Sequence, residues 1–294
     1  MREKCACTEC AVGCRMDPKP IAEALDISRS NLSISLKASP GCRSVAYDKP
    51  GDVDTLQEIK KVCDKRPTYG YLRVTAVLKR EKKAKKEAAI NHKRVYRIMK
   101  NAGLILPKSG VRTEKVHEGK IITLHSNTRW CSDSFEFRCF NREKIFVAFI
   151  EDTCDREAIS WFASTAPITS EVIRDLAAVA LERRFGNGGK PPHPVEFLSD
   201  NGGCYRAEET KRFLKDQGFI PCYTPSYSPE SNGMSESLVK TIKRDYVRVS
   251  EGLETAQDAI KEVDEWFRDY NANHPHSGLR MMSPAEFRMA NSTN

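Results

Sequence analysis

Three acidic residues, Asp133, Asp200 and Glu236, lie in local sequences that suit a catalytic site. Asp133 is within the alternating, strand-like stretch RWCSDSFEF, and Asp200 ends the run VEFLSD just before Asn201-Gly202. Glu236 begins a helical stretch. Two strand-borne aspartates and a helix-borne glutamate can hold two Mg²⁺ ions, which lie about 3.5–4 Å apart and clamp the attacking and leaving oxygens of a phosphoryl displacement. The pattern therefore predicts an enzyme that cuts or joins nucleic acid.

The two aspartates are chosen over other acids of the same region by their position. Asp152 and Asp155 follow the second predicted strand, in a loop, whereas Asp133 lies within the first strand, at the centre of such a sheet. Asp200 ends the strand expected beside it. A carboxylate at the C-terminal end of a central strand opens onto the crevice where α/β sheets bind ligands. We therefore expect Asp133 and Asp200 to face one site.

The third acid is chosen by helical geometry. At about 100° per residue, Glu236, Lys240 and Lys243 share one side of their helix. This row suits a carboxylate that holds metal beside lysines that hold substrate phosphates. The alternative is a surface Glu–Lys pair, worth a few tenths of a kcal/mol, and Glu230 is the rival ligand. The other side of the helix is predicted to be a buried stripe of Leu238, Val239, Ile242, Tyr246 and Val249.

The elements around these acids predict a ribonuclease-H-like catalytic core over residues 126–250, with a mixed five-stranded sheet and flanking helices on both faces. The predicted strands are Arg129–Phe140, Lys144–Asp152, Ala158–Ser164, Val195–Leu198 and Phe219–Tyr223. The predicted helices are Ser170–Phe185, Ala207–Gln217 and Glu230–Val249. Residues 251–294 are predicted to form a C-terminal helix, Thr255–Asn271, and a turn-rich tail.

Small all-α units are predicted before the core, a helix-turn-helix at 18–38 and a second helical DNA-binding domain at 52–104. In the second unit Asn91 can cap a helix whose Val95, Ile98 and Met99 pack inward. Its outer side then carries four basic residues, as a recognition helix does, and an ordinary surface helix is the alternative. The four are Lys93, Arg94, Arg97 and Lys100.

Charge is distributed unevenly along the 294 residues. Residues 1–125 carry 27 basic and 14 acidic residues, and the remainder carries 21 basic and 26 acidic residues. A basic first part joined to an acidic second part suggests a nucleic-acid-gripping module on a metal-binding core. No apolar run approaches the roughly 20 residues that a membrane span needs. We expect a soluble, cytoplasmic protein that associates with the nucleoid.

Residues 1–17 are rich in cysteine and are treated as a separate N-terminal segment. Their spacing, CxCxxCxxxC, differs from the paired CxxC knuckles of zinc sites, which argues against zinc here. The four cysteines concerned are Cys5, Cys7, Cys10 and Cys14.

Several motifs together resemble one known family. They are Pro67–Tyr71, INHKRVYRIMKNAGL, RWCSD, LSDNG, SPESNGMSES, KTIKRDY, YNANHPHS and SPAEF, with 35 residues between Asp200 and Glu236. The chain resembles the DDE transposases related to retroviral integrase, specifically the second-frame (OrfB) proteins of the IS-three group of bacterial insertion sequences. One departure is Leu279-Arg280-Met281, where the family usually reads LGY. The N-terminal cysteines also lack the histidine pair of the integrase zinc domain, so that zinc is not carried over.

The resemblance implies a metal-binding triad of Asp133, Asp200 and Glu236, which binds two Mg²⁺ ions with Mn²⁺ as a substitute. It implies cleavage at insertion-sequence ends and strand transfer by a DNA 3′-hydroxyl, with end DNA bound by Lys240, Lys243 and Arg244. It also implies a homo-multimer on DNA and a first-frame partner protein, separate or fused. The alternatives are a ribonuclease-H-like nuclease that hydrolyses without joining, and an inactive or partial DNA-binding regulator.

Overall fold

The computed structural model describes residue 23 and residues 49–107, 123–224 and 233–291. The chain divides into two compact units, Met1–Asp52 and Val53–Asn294. The predicted helix-turn-helix at 18–38 and the four cysteines of residues 1–17 lie outside the described residues. Within the described residues, no helix is both long enough and apolar enough to cross a membrane.

Three helices within residues 49–107 share one apolar core. They are α1 (Asp52–Lys65), α2 (Tyr71–Ala84) and α3 (His92–Asn101). The Asn91 side chain caps α3 by accepting a hydrogen bond from the Lys93 N–H at 2.9 Å. Val95, Ile98 and Met99 are buried, as their spacing predicts. We call residues 53–107 the helical module.

A mixed five-stranded sheet follows, which confirms the predicted core architecture. Its strands are β1 (Arg129–Arg138), β2 (Lys144–Asp152), β3 (Ala158–Ser164), β4 (Val195–Ser199) and β5 (Phe219–Tyr223). The order is β3-β2-β1-β4-β5. The β1–β2 and β2–β3 pairs are antiparallel, and the β1–β4 and β4–β5 pairs are parallel. β1 therefore lies at the centre of the sheet, as expected for the strand that carries Asp133.

Helices cover both faces of this sheet. They are α4 (Ser170–Phe185), α5 (Gly203–Arg206), α6 (Glu208–Asp216), α7 (Gly233–Ile242) and α8 (Ala256–Asn273). A further helix, α9 (Pro284–Asn291), packs against α8. One core cluster joins the sheet to α4 through residues such as Trp130 and Leu176. The other joins it to α7 and α8 through Phe149, Ile242 and Phe267. α8 therefore completes the core of the catalytic region.

The predicted long helix Glu230–Val249 differs in the structure. α7 ends at Ile242 and continues as a π-helical turn, Lys243–Val247. The helical segment ends at Val247, so Val249 lies in the turn beyond it, is 36% exposed, and its predicted burial is wrong. Leu238, Ile242 and Tyr246 are buried, as predicted.

The tail also contains more structure than its turn-rich sequence indicates. A short 3₁₀ helix, Ser277–Leu279, precedes α9. Between them Arg280 and Met281 adopt φ values of 54° and 65°, in the left-handed region. Glycine adopts this region at no steric cost, and Arg280 is the position at which the resembled family has glycine.

Polar contacts join the helical module to the core. Arg73 of α2 pairs with Asp245 of the π-helical turn at 3.1 Å, and Arg66 pairs with Asp269 of α8. The Tyr69 hydroxyl lies 3.1 Å from His274 Nδ1. These contacts hold the module against the segment that directly follows α7.

Candidate active site

The sheet register places Asp133 and Asp200 on neighbouring strands at the same level. In the parallel β1–β4 pair, Cys131 lies opposite Leu198. Asp133 and Asp200 are each two residues further along, so both lie at the carboxyl end of the paired segment. This edge is where parallel strands present residues to a ligand.

Glu236 reaches the same region from α7. Burial raises the pKa of Asp133 to about 6; the Ser134 N–H opposes this, the Asp200 and Glu236 carboxylates add to it, and the Lys243 ammonium opposes it. The two other carboxylates act on Asp133 only because the fold brings all three into one electrostatic neighbourhood. The three predicted acids, from β1, the turn after β4 and α7, therefore lie within electrostatic range of one another.

Each of the three carboxylates has a local partner. Asp133 Oδ1 accepts from the Ser134 N–H at 2.7 Å, and Asp200 Oδ1 accepts from the Gly202 N–H at 2.9 Å. Glu236 Oε2 pairs with Lys240 Nζ at 3.1 Å. Among the described residues, no group of three or more His, Cys, Asp or Glu side chains is placed to hold a metal ion as it stands.

The chemistry of this donor set nevertheless fits Mg²⁺. Carboxylate oxygens are the ligands that Mg²⁺ prefers. The like charge that raises the pKa of Asp133 is relieved when a cation lies between the carboxylates.

The basic residues of this helix have different surroundings. Lys243 lies over the Phe135 ring, 5.5 Å from its centroid, on the side that faces Asp133. Lys240 is exposed and pairs with Glu236. Arg244 instead forms a two-point ion pair with buried Asp245, at 2.5 and 2.7 Å. The structure therefore brings Lys240 and Lys243 to the acids and directs Arg244 toward Asp245.

The rival acids have structural roles. Asp155 is fully buried and accepts two hydrogen bonds from Arg184, at 2.9 and 3.1 Å. Asp152 accepts hydrogen bonds from the N–H groups of Asn127 and Cys154, at 2.6 and 2.7 Å. Both hold the turn after β2 in place. Glu230 lies outside the described residues.

The basic side of α3 contains an aromatic residue that sequence reasoning missed. Lys93 and Lys100 are exposed, while Arg94 and Arg97 are half-buried. Tyr96 lies on the same side, 42% exposed, with its ring edge-on to Tyr71. Its spacing of three and four residues from Lys93 and Lys100 is the signal that could have revealed it.

Matches to known families follow the same division of the chain. An HTH-like domain family matches residues 52–109, and two integrase core domain families match residues 124–229 and 217–284. Over 276 residues the chain is 44% identical to transposase InsD of insertion element IS2A/D/F/H/I/K from Escherichia coli, covering 91% of this chain and 89% of that protein. The chain belongs to the insertion-element transposases with an integrase core. This transposase is accordingly an enzyme of the polynucleotidyl transferase class.

Two solved structures similar to the transposase are of retroviral proteins. One is a simian T-cell lymphotropic virus intasome in complex with the PP2A regulatory subunit B56 gamma, with a TM-score of 0.47, 15% identity and coverage of 78% of this chain and 73% of that one. The other is the catalytic core domain of BIV integrase, with a TM-score of 0.39, 20% identity and coverage of 57% and 97%.

Beside the acids of the transposase lie the Asn201-Gly202 turn, which the sequence shows, and Tyr205 and Ser132, which were missed from the sequence. A Cβ atom on Gly202 would lie 2.9 Å from Asp200 Oδ1. Tyr205 is buried, and its hydroxyl lies 3.0 Å from the Ser132 hydroxyl. The Asn201-Gly202 turn was visible in the sequence, but the contact between Tyr205 and Ser132 joins positions that no local pattern relates.

Proposed function

We propose that this transposase cleaves DNA at the ends of an insertion sequence and joins the 3′ ends to a target by Mg²⁺-dependent transesterification. The catalytic metal ligands in this proposal are Asp133, Asp200 and Glu236. The observation that carries it is the register of the parallel β1–β4 pair, which sets Asp133 and Asp200 at the same edge of the sheet, with Glu236 near enough to act on the pKa of Asp133.

The three carboxylates would hold two Mg²⁺ ions. When bound, such ions activate the attacking water or 3′-hydroxyl and stabilise the leaving 3′ oxygen of an in-line displacement. Lys243, held over the Phe135 ring beside Asp133, supplies a cation for substrate phosphates. Lys240 becomes available for the same purpose when Glu236 turns away from it. No side chain of the protein forms a covalent bond to DNA in this proposal.

DNA binding outside the acids is assigned to the basic side of α3. Lys93 and Lys100 are exposed there with Tyr96 between them, and Arg94 and Arg97 flank this surface. Arg244 would contact a DNA phosphate as well, through the exposed part of its guanidinium, while it keeps its pairing with Asp245. Joining requires two DNA ends at once, so the proposal includes a homo-multimer on DNA and the first-frame protein as its partner.

The decisive experiment replaces Asp200 with Asn and measures cleavage and joining of oligonucleotides that carry the element's ends, in Mg²⁺. Activity should fall below detection while DNA binding is kept, because the substitution removes a metal-binding charge without changing side-chain size. Asp216→Asn is the matched control, since Asp216 is exposed on α6. Joining retained by Asp200→Asn would overturn the assignment.

The wild-type products separate the alternatives. Joined products require a transferase, whereas cleavage into hydrolysed ends alone would identify a ribonuclease-H-like nuclease. DNA binding that is insensitive to Mg²⁺, with no product formed, would identify a regulator.

A further inference from the structure

Arg206, the last residue of α5, is an exposed arginine held in a fixed orientation beside Asp200. Its guanidinium lies over the Tyr223 ring, 4.7 Å from the ring centroid. Its Nη1 donates a hydrogen bond to Asn201 Oδ1 at 3.1 Å. Because Asn201 directly follows Asp200, the guanidinium lies at the same edge of the sheet as the catalytic acid.

The groups that orient this arginine are themselves fixed. Asn201 Nδ2 donates to the Thr224 carbonyl oxygen at 2.8 Å. The Tyr223 hydroxyl donates to the Tyr205 carbonyl oxygen at 3.3 Å. The arrangement thus ties together α5, the turn after β4 and the end of β5. An exposed arginine otherwise loses side-chain conformational entropy when it binds a ligand, and here part of that freedom is already removed.

Among the described residues, no acidic side chain neutralises the charge of Arg206. Across residues 49–107, 123–224 and 233–291, no carboxylate lies within ion-pair distance of its guanidinium. Glu208, the acid nearest in sequence, pairs with Lys211 at 2.7 Å. Arg184 and Arg73, by contrast, are paired with the buried acids Asp155 and Asp245. An oriented but unpaired guanidinium suits an anion supplied by a ligand.

We propose that Arg206, oriented by Tyr223 and Asn201, binds a phosphodiester of the DNA strand that lies against Asp200. One of the five guanidinium N–H donors is used by Asn201, so the others are available for the forked contact that arginine makes with phosphate. Stacking on Tyr223 leaves the edges of the guanidinium free for this contact. The inference rests on the proposed function, in which DNA is the substrate.

The salt dependence of DNA binding tests this assignment. Full-length Arg206→Gln and wild type are titrated with a mixed-sequence DNA duplex over a range of NaCl concentrations, without Mg²⁺. The slope of log K against log salt is negative, and loss of one phosphate contact should make it less steep by about 0.9. Arg212→Gln is the matched control, because Arg212 is exposed on the neighbouring α6 and, among the described residues, its guanidinium does not stack on an aromatic ring.

Two further variants test the role of orientation. Arg206→Lys keeps the charge but loses the planar fork, and Tyr223→Leu keeps the arginine but loses the ring beneath it. Both should reduce the joining rate at subsaturating DNA by about tenfold, the value of one charge-assisted hydrogen bond. An unchanged salt slope for Arg206→Gln, an equal loss in Arg212→Gln, or full activity in both orientation variants would overturn the proposal. A wild type that binds DNA but never joins it would overturn the proposed function and leave the phosphate site standing.

Discussion

At the scale of single residues, Gly202 is the position beside the acids that tolerates least change. Its Cβ would lie 2.9 Å from Asp200 Oδ1 and 3.5 Å from the Tyr205 ring, closer to the carboxylate than real Cβ contacts allow. The Asp200 carboxylate must then move, and the hydrogen bond that it accepts from the Gly202 N–H must lengthen.

We therefore predict that Gly202→Ala lowers the joining rate by up to roughly tenfold, since the Asp200 carboxylate must shift by a few tenths of an ångström and a full 1 Å displacement at a reacting centre costs about a hundredfold. Gly203→Ala is its control, because a Cβ there meets no atom within 4 Å. The measurement is strand transfer by both variants, with thermal melting to show that both fold. Equal rates for the two variants would contradict the argument.

The elements on which the three acids lie could be predicted from sequence, and the contacts of their neighbours could not. Asp133 and Asp200 sit at strand positions that alternation and turn residues mark, and Glu236 sits on a helix with a clear apolar stripe. Tyr205 and Arg206 belong to a four-residue helix, too short for any periodic pattern to show. Their roles arise from contacts with Ser132 and Tyr223, which only the folded sheet brings close.

At the scale of elements, α5 is joined to the central strand through one pair of hydroxyl groups. The Ser132 hydroxyl donates to the Phe149 carbonyl oxygen at 2.9 Å. Since a serine hydroxyl has one proton, the Tyr205 hydroxyl must be the donor in its 3.0 Å contact with Ser132. This bond joins the segment after Asp200 to the residue before Asp133, so it holds the two aspartate-bearing elements together.

We predict unequal effects of the two single substitutions. Tyr205→Phe removes only the donor and should cost about 1 kcal/mol of unfolding free energy, whereas Ser132→Ala leaves a buried tyrosine hydroxyl unpaired and should cost about 1–3 kcal/mol. In the Ser132→Ala background, adding Tyr205→Phe should cost nothing or restore stability. Urea denaturation of the four proteins of this double-mutant cycle measures the coupling. Additive effects would show that the pair does not interact.

The bounds of helices and strands could be predicted where the apolar residues keep one spacing along the whole element. β2, β3, β5 and α4 have the predicted bounds because their apolar residues follow a regular spacing. The helix after Glu236 was predicted only in part, since a π-helical turn changes the period at Lys243 without a proline or glycine to mark it. Glu236 and Lys243 still lie near Asp133. Of the predicted buried stripe, Val249 is the residue that is exposed.

At the scale of the whole unit, the helical module and the catalytic core meet at a buried polar cluster. Asp245 is 2% exposed and is held by Arg73 from the module and Arg244 from the core. His274 lies beside it, with Nδ1 3.9 Å from the Asp245 carboxylate. Breaking a buried pair leaves an uncompensated charge, which costs about 3–5 kcal/mol. The contact between the helical module and the core is therefore specific, and it fixes the position of α3 relative to the three acids.

Two imidazoles of the tail are held uncharged next to this cluster. Burial lowers the pKa of His274, and the charges of His276, Arg73, Arg244 and Arg66 lower it further. Burial, with Arg156 and Arg73, lowers the pKa of His276 to about 3. The Nε2 atoms of both are buried without a hydrogen-bond partner among the described residues. Protonation of either histidine would place a positive charge among these arginines.

This arrangement makes the folded protein sensitive to acid. The unfolded chain has histidine pKa values near 6.5. Below about pH 6.5 these histidines are therefore protonated in the unfolded chain and neutral in the folded protein. Stability is then complete above about pH 6.5 and falls as the pH drops toward 3, by about 1.4 kcal/mol per pH unit for each such histidine. His276→Asn removes one of these groups. Between pH 6 and pH 5 the unfolding free energy of the variant should therefore fall less steeply than that of wild type, by about 1.4 kcal/mol per pH unit, which corresponds to one proton. Urea denaturation across this pH range measures the slope. His193→Asn is the control, because His193 is exposed. Identical slopes for wild type and His276→Asn would show that the His276 imidazole is protonated in the folded protein.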